Sequence, residues 1–122
     1  MPIIYTQALV RKPGKNFSEG LTEAALGIPD FKTALQQHAR YVEALLQNGL
    51  KVTVLEADER YPDGCFVEDT AIVTEQVAII TNPGAASRKG EEQAIKEVLH
   101  TYKSLVSIRP PGTLDGGDVL RI

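Results

Sequence analysis

Residues 71–109 read AIVTEQVAIITNPGAASRKGEEQAIKEVLHTYKSLVSIR, and the order of their apolar patterns decides the fold. Two short apolar, β-prone runs, 71–74 and 77–81, predict a pair of strands joined by a tight turn. A helix is predicted next, with Ser87 as its N-cap and four apolar residues at helical spacing: Ile95, Val98, Leu99 and Tyr102. Residues 105–109 then predict a third strand. The stretch therefore predicts one ββαβ unit.

The sequence before this stretch repeats a similar order of elements. An apolar run at 3–10 predicts a strand, and residues 51–56 alternate in the manner of a strand. Between them Asp30 is predicted to cap a helix that ends at Gly49, because aspartate is a common N-cap and glycine commonly follows the last turn. One face of this predicted helix is apolar and consists of Phe31, Leu35, His38, Val42, Leu45 and Leu46.

The similar size and order of the two segments indicate a structural repeat within a single α/β domain that covers residues 1–122. The first unit is predicted at about 3–56 and the second at about 71–109. A further strand is predicted at about 114–122, as the start of a third unit.

The composition is that of an ordinary globular domain: of the 122 residues, 43% are hydrophobic and 24% are charged. The formal net charge of −3, with both signs mixed along the chain, argues against a nucleic-acid surface and against an anionic membrane surface. No apolar run is long enough to span a bilayer or to serve as a signal peptide. The single cysteine, Cys65, excludes an intrachain disulfide framework. We therefore expect a cytoplasmic protein with no nucleic-acid or membrane partner.

The densest polar cluster is Asp63-Gly64-Cys65-Phe66-Val67-Glu68-Asp69, in a predicted loop before the strand pair. Its three carboxylates suit a cation, and carboxylates bind a planar guanidinium through paired hydrogen bonds. A solvated acidic turn is the alternative and, on composition alone, the more common one. The Phe66-Val67 pair counts against that alternative, because a solvated turn has little reason to contain it.

None of the candidate nucleophiles or general bases fits such a role. A reactive thiolate needs positive surroundings, whereas Cys65 lies among three carboxylates in the sequence, so a packing role is predicted for it. His38 lies on the apolar face of the first predicted helix and His100 near the end of the second, which predicts ordinary helix histidines. No phosphate-binding loop or dinucleotide fingerprint is visible, and because no metal-ligand spacing is visible either, no metal site is expected.

A second polar cluster, Asp115-Gly116-Gly117-Asp118, follows the second predicted unit. Two adjacent glycines allow a tight turn or a close approach of the backbone to a ligand. A site role for Asp118 and a simple loop-to-strand turn are equally good interpretations. Arg88, at the predicted helix start, could hold an anionic group, although a solvated helix arginine is the more common case.

Three stretches together resemble the dimethylarginine dimethylaminohydrolases: YPDGCFVEDT at 61–70, PGAASRKGE at 83–91 and LDGGDVL at 114–120. FVED followed by an apolar strand is quite specific, whereas LDGGDVL occurs more widely in the amidinotransferase and deiminase superfamily. The resemblance covers essentially the whole chain and about the first half of a typical family member. It implies a partial pentein-type α/β propeller, here two ββαβ-like units and the first strand of a third.

The resemblance also implies a set of residues that bind an arginine-like guanidinium. Glu68 would grip the guanidinium with Asp69 in support, while Asp63 and Phe66 would line the pocket. Arg88 would help to hold the amino-acid end of a methylated arginine. The remaining implied residues are Leu21, in a flexible lid over the pocket, and the supporting turn at Asp115, Gly116, Gly117 and Asp118.

The family reaction needs a cysteine and a histidine that match no position in this chain. The cysteine attacks the guanidinium carbon to form a thiouronium, dimethylamine leaves, water releases citrulline, and the histidine moves protons, with no cofactor. Cys65 lies in the implied substrate-gripping loop instead. We therefore expect that these residues alone do not hydrolyse methylarginines, and that a C-terminal half acts with them in cis or in trans.

Two other functions stay open on the sequence. One is a stand-alone module that binds arginine-like cations without chemistry. The other is a non-catalytic interaction domain, because a partial propeller has open sheet edges that invite pairing with another copy, giving a homo-oligomer. Calorimetry with arginine or methylarginine separates a binding module from an inert fragment, and addition of the missing half in trans tests the hydrolase.

Overall fold

The computed structural model describes residues 4–122, in which the chain forms two units, one ending at Cys65 and the other beginning at Phe66. The predicted repeats at 3–56 and 71–109 fall one in each unit. Ile3, the first residue of the predicted opening strand, lies outside the described residues.

The first unit contains two parallel strands and one helix. Strand β1 spans Gln7–Arg11, helix α1 spans Phe31–Gln47 and strand β2 spans Lys51–Leu55. The two strands pair in parallel from Gln7 opposite Lys51 to Arg11 opposite Leu55. Among the described residues a single strand precedes the helix, so this unit is βαβ there. The order strand, helix, strand predicted from its residues is confirmed, whereas the ββαβ-like pattern implied by the resemblance is not confirmed for it. The reason is local, since residues 12–29 contain glycines, prolines and one short 3₁₀ turn in place of a second strand.

Helix α1 begins and ends where the sequence predicts. The Asp30 carboxylate accepts a hydrogen bond from the Thr33 amide at 2.8 Å, which satisfies one of the donors at the helix start that has no partner within the helix. Gly49 has a φ of +82°, a conformation that glycine adopts at little cost and that closes the last turn. Both predicted termini are confirmed.

Helix α1 covers a groove of about 550 Å³ within the first unit. His38 lines this groove, as the apolar pattern predicts for that face of the helix. Burial, together with the nearby charge of Lys12, lowers the pKa of His38 below its ordinary value, which favours the neutral imidazole. The other lining residues from the apolar face are Phe31, Leu35 and Val42.

The second unit contains a mixed three-stranded sheet and one helix. Strands β3 (Ala71–Val73) and β4 (Val77–Ile80) form an antiparallel pair, and β5 (Ser104–Ser107) adds to β4 in parallel. Helix α2, Glu92–Leu99, connects β4 to β5 and buries Ile95 fully. The order of strands and helix agrees with the predicted ββαβ unit. The apolar core of this unit comprises Ala78, Ile80 and Ile95.

Two local predictions in the second unit are wrong. Ser87 lies within a 3₁₀ turn, Ala86–Arg88, and does not cap α2. Gly90, at a φ of +105°, interrupts the helical path between that turn and the helix, so α2 begins at Glu92. The predicted strand at 114–122 is also absent, because no neighbouring strand within residues 4–122 supplies its ladder hydrogen bonds. A 3₁₀ turn at Gly116–Asp118 occupies this stretch instead.

The Pro110–Pro111 peptide bond is cis. Across residues 4–122, neither helix has the length and apolar character needed to cross a membrane.

Candidate guanidinium site

A short 3₁₀ turn, Val67–Thr70, lies directly before β3, and Phe66 is the residue at which it begins. This turn carries the adjacent carboxylates of Glu68 and Asp69. The Thr70 hydroxyl closes the turn by donating to the Val67 carbonyl oxygen at 2.6 Å. Thr81, just after β4, donates its hydroxyl to the Asp69 carbonyl oxygen at 2.8 Å. The turn is therefore fixed to the sheet at its C-terminal end, and the side chains that it carries start from a defined backbone.

Asp69 has both carboxylate oxygens engaged within the second unit. Arg88 donates from Nη1 to Oδ2 at 2.6 Å, and the Gly117 amide donates to Oδ1 at 2.9 Å. Charge-assisted hydrogen bonds of this kind are about twice as strong as neutral ones. Asp69 therefore connects the carboxylate turn to the residues before α2 and to the Gly116–Asp118 turn.

Arg88 lies between two carboxylates and a carbonyl oxygen. Its Nε and Nη2 atoms donate to the Glu91 carboxylate, with the Nη2–Oε2 distance at 2.8 Å, and Nη2 also donates to the Phe66 carbonyl oxygen at 3.2 Å. The side chains of Arg88 and Glu91 are 11% and 3% exposed. Burial alone would lower the pKa of Arg88, but the hydrogen bonds with Glu91 and Asp69 raise it above its ordinary value, so the guanidinium stays charged.

Glu68 differs from its neighbour Asp69 in its exposure and in its hydrogen bonding. Its side chain is exposed, and within residues 4–122 its carboxylate takes part in no hydrogen bond or ion pair. One carboxylate of the adjacent pair is thus held by internal partners, whereas the other keeps its full capacity to bind an external cation.

The two glycines of the Gly116–Asp118 turn lie against this carboxylate pair. A Cβ atom at Gly116 would overlap the Glu68 carbonyl oxygen, and a Cβ atom at Gly117 would overlap Oδ1 of Asp69. Gly116 therefore requires glycine, because the overlap there is with backbone, whereas at Gly117 the overlap is with the end of the Asp69 side chain. Asp115 is half-buried and Asp118 is exposed at the two ends of the turn.

Replacement of Gly116 by alanine should lower the free energy of unfolding by about 1–3 kcal/mol, because the added methyl group forces the Glu68 backbone to move. Urea denaturation measures this change. Gly84→Ala is the matched control, since its Cβ would meet only Oδ2 of Asp115 at 3.4 Å, an ordinary contact. Equal stability of the two variants would contradict the close packing described for Gly116.

In the first unit, Asp63 holds the backbone of the segment that contains Leu21. Its Oδ2 atom accepts a hydrogen bond from the Leu21 amide at 3.0 Å, and a Cβ atom at Gly20 would overlap Oδ1 of the same carboxylate. Asp63 is 6% exposed, while Leu21 is 62% exposed. The carboxylate therefore fixes the backbone at Leu21 and leaves the leucine side chain outward.

The structure places the residues implied by the sequence in two groups. Leu21 and Asp63 belong to the first unit, and all the others belong to the second: Phe66, Glu68, Asp69, Arg88 and Asp115 to Asp118. Phe66 is 48% exposed. Cys65 is half-buried in the first unit, and His100 is exposed just after α2.

Sequence reasoning missed Glu91, which is the principal partner of Arg88. The two residues are three apart, a spacing that brings side chains together on a helical turn. This three-residue spacing could have indicated the ion pair from the sequence. It was not decisive, because a glutamate at this position is also common at an ordinary helix start.

Comparison with known proteins gives one family. Residues 29–111 match the family model described as N,N-dimethylarginine dimethylhydrolase, eukaryotic. The chain is 39% identical to N(G),N(G)-dimethylarginine dimethylaminohydrolase of Pseudomonas aeruginosa, over 98% of the chain and 48% of that protein. It is 42% identical to the protein of the same name from Streptomyces coelicolor, over 95% of the chain and 46% of that protein.

A solved structure agrees with this result. The structure of a Pseudomonas aeruginosa dimethylarginine dimethylaminohydrolase mutant complexed with citrulline is similar to this chain with a TM-score of 0.96 and 38% identity. The match covers 98% of this chain and 48% of the solved one. The chain thus spans about half the length of the curated relatives that it matches.

Proposed function

The chain belongs to the dimethylarginine dimethylaminohydrolase family, and from this premise we propose that it forms the N-terminal, substrate-binding part of a hydrolase. The hydrolase converts Nω-methylated arginines to citrulline and methylamines. The observation that carries the proposal is the exposed Glu68 carboxylate, which has no internal partner in residues 4–122 and adjoins the fully engaged Asp69.

Glu68 suits a guanidinium for a simple electrostatic reason. A planar guanidinium presents paired N–H donors, and a carboxylate accepts two of them in parallel. Because both carboxylate oxygens of Asp69 already accept hydrogen bonds within the chain, Glu68 is the member of the pair whose carboxylate is available for a ligand. Gripping the guanidinium keeps the substrate cationic, and therefore electrophilic, and orients its flat face toward a nucleophile.

The other residues complete a binding site under the same proposal. Phe66 belongs to the substrate site, and the turn from Asp115 to Asp118 supports it. Asp63 and Leu21 are also proposed to take part in substrate binding. Arg88 holds the amino-acid end of the substrate in this scheme. Arginine has five N–H donors, and Nε, Nη1 and Nη2 of Arg88 each already donate within the chain.

The nucleophilic cysteine and the proton-transferring histidine come, we propose, from sequence outside these 122 residues, in the same polypeptide or on another. Three groups in the chain are poor substitutes: a half-buried thiol at Cys65, the groove-lining His38 and the exposed His100. The two units described here would form part of a pentein-type propeller in a single domain, in a cytoplasmic protein that needs no cofactor.

A second candidate function is self-association through strand edges. The sheet of β1 and β2 has two strands, so each of them has one edge without a strand partner among residues 4–122. Such edges are templates for pairing with another chain. A monodisperse monomer at high concentration would remove this candidate.

The hydrolase proposal is tested by citrulline production. The 122-residue chain is incubated with asymmetric dimethylarginine, alone and with the C-terminal half of a family member added in trans. We expect no citrulline from the chain alone and turnover from the mixture. Turnover by the chain alone would contradict the assignment of the catalytic residues to another segment. Failure of the complete protein to bind or hydrolyse any methylarginine would refute the proposed function itself.

A further inference from the structure

Arg88 contacts the carboxylate turn on both sides of Glu68. Its Nη2 donates to the carbonyl oxygen of Phe66, the residue that begins the turn, at 3.2 Å. Its Nη1 donates to the carboxylate of Asp69, the residue after Glu68, at 2.6 Å. A single guanidinium therefore bridges two points of the backbone segment that encloses Val67 and Glu68, the latter being the residue proposed to bind substrate.

Glu91 fixes the orientation of that guanidinium. Its carboxylate accepts hydrogen bonds from Nε of Arg88, at 3.1 Å to each carboxylate oxygen, and from Nη2, at 2.8 Å to Oε2. Two adjacent nitrogens of the guanidinium thus face the carboxylate, which defines the plane of the Arg88 side chain. The Glu91 side chain is 3% exposed, so this contact is little screened by solvent. Rotation of the guanidinium away from Phe66 and Asp69 would break this buried ion pair, which is costly.

The contact with Glu91 has a second effect. Arg88 pairs with the carboxylates of both Asp69 and Glu91. A guanidinium held by these two carboxylates has less tendency to pair with Glu68, the neighbour of Asp69 in the sequence. Glu91 thus keeps an internal guanidinium from competing for the carboxylate that a guanidine ligand would use.

We propose that Glu91 is a positioning residue for substrate binding: through Arg88 it clamps the turn that carries Glu68 and keeps that carboxylate available. This inference rests on the proposed function for its kinetic consequence. Its structural part, the chain of contacts from Glu91 through Arg88 and Asp69 to the Gly117 amide, is independent of any ligand.

The test compares Glu91→Gln with wild type in the complete polypeptide that carries these residues, assayed with asymmetric dimethylarginine. KM should rise about tenfold while kcat stays within about twofold, because the lost orientation weakens guanidinium binding in the ground state and transition state alike. Tenfold corresponds to about 1.4 kcal/mol, within the range found for neighbours in one hydrogen-bond network. A purely structural role would reduce the fraction of folded enzyme, which lowers apparent kcat and leaves KM unchanged.

Glu97→Gln is the matched control, since Glu97 is exposed on α2 and its side chain makes no hydrogen bond within residues 4–122. Both kinetic constants should stay at their wild-type values in it. If Glu91→Gln does not fold, Glu91→Asp replaces it, because the shorter side chain keeps the charge but withdraws the carboxylate from Arg88. An unchanged KM in the folded Glu91 variant overturns the proposal, whether or not kcat falls.

A second measurement separates this inference from the proposed function. The amide proton of Gly117 donates to Asp69, so its NMR chemical shift reports whether that carboxylate keeps its position. The signal should move upfield, toward that of an unstructured glycine, in the Glu91 variant and stay in place in Glu97→Gln. If wild type acts on no guanidine but the Gly117 signal moves, the proposed function fails and the clamp stands. If the signal does not move, the clamp is refuted.

Discussion

Replacing Arg88 by methionine should lower the free energy of unfolding by about 3–5 kcal/mol. Methionine keeps much of the side-chain volume but removes the guanidinium that pairs with both Asp69 and Glu91. The Glu91 side chain is only 3% exposed, so the broken contact lies in a buried site. Removing one partner of a buried ion pair costs more than the net value of the intact pair. Denaturant titrations of wild type and Arg88→Met measure this loss of stability.

Arg60→Met is the control for this prediction. Arg60 pairs with Asp58 through Nε and Nη2 at 2.9 and 2.7 Å, but its side chain is 77% exposed. Exposed ion pairs contribute little because water and salt screen them. We expect a much smaller change from Arg60→Met than from Arg88→Met. Similar losses in the two variants would show that burial of the Arg88 cluster has no energetic consequence.

Replacement of Glu68 by alanine should weaken the binding of a methylarginine on the order of 100-fold. Hydrogen bonds to a charged group contribute about 1.5–3 kcal/mol, and the upper value corresponds to roughly that factor. Stability should change little, because the Glu68 carboxylate is exposed and takes part in no hydrogen bond or ion pair within the described part of the chain. Calorimetry on the complete protein measures the affinity, and thermal unfolding monitors the fold.

Glu75→Ala provides the comparison for charge alone. Glu75 lies in the exposed turn between β3 and β4, whereas Glu68 lies before β3. Its replacement therefore makes the same change in net charge at the other end of this strand. Its affinity for methylarginine should match that of wild type. If both variants bind equally well, guanidinium recognition does not depend on Glu68. The exposed Glu68 carboxylate then no longer supports the proposed function.

The parts of the fold that the sequence predicts well are those that depend on local interactions. Asp30 caps α1 through a contact with Thr33, three residues away, and Gly49 ends the helix through its own backbone conformation. The start of α2 was wrong because the positive φ of Gly90 cannot be read from residue type alone. The strand predicted at 114–122 was wrong because a strand forms only when a neighbour pairs with it.

In the candidate site, too, the sequence predicts what depends on neighbouring residues and does not predict what depends on distant ones. The FVED motif identifies a carboxylate pair, since the residues are adjacent in the sequence. The difference between the two carboxylates is not local: Asp69 is engaged by Arg88, 19 residues away, and by Gly117, 48 residues away, while Glu68 is engaged by neither. A sequence pattern therefore indicates that the acidic turn binds a cation, but it cannot assign the separate roles of its members.

The parallel pairing of β1 with β2 has a consequence for how the first unit is synthesised and folded. Gln7 pairs with Lys51, so the segment between them, which includes all of α1, must be made before the ladder can close. Such non-local closure has a conformational-entropy cost before it gains any hydrogen bonds, whereas the β3–β4 hairpin closes over a short turn. During translation β1 leaves the ribosome before β2, so the β1–β2 ladder cannot form until Lys51–Leu55 has emerged.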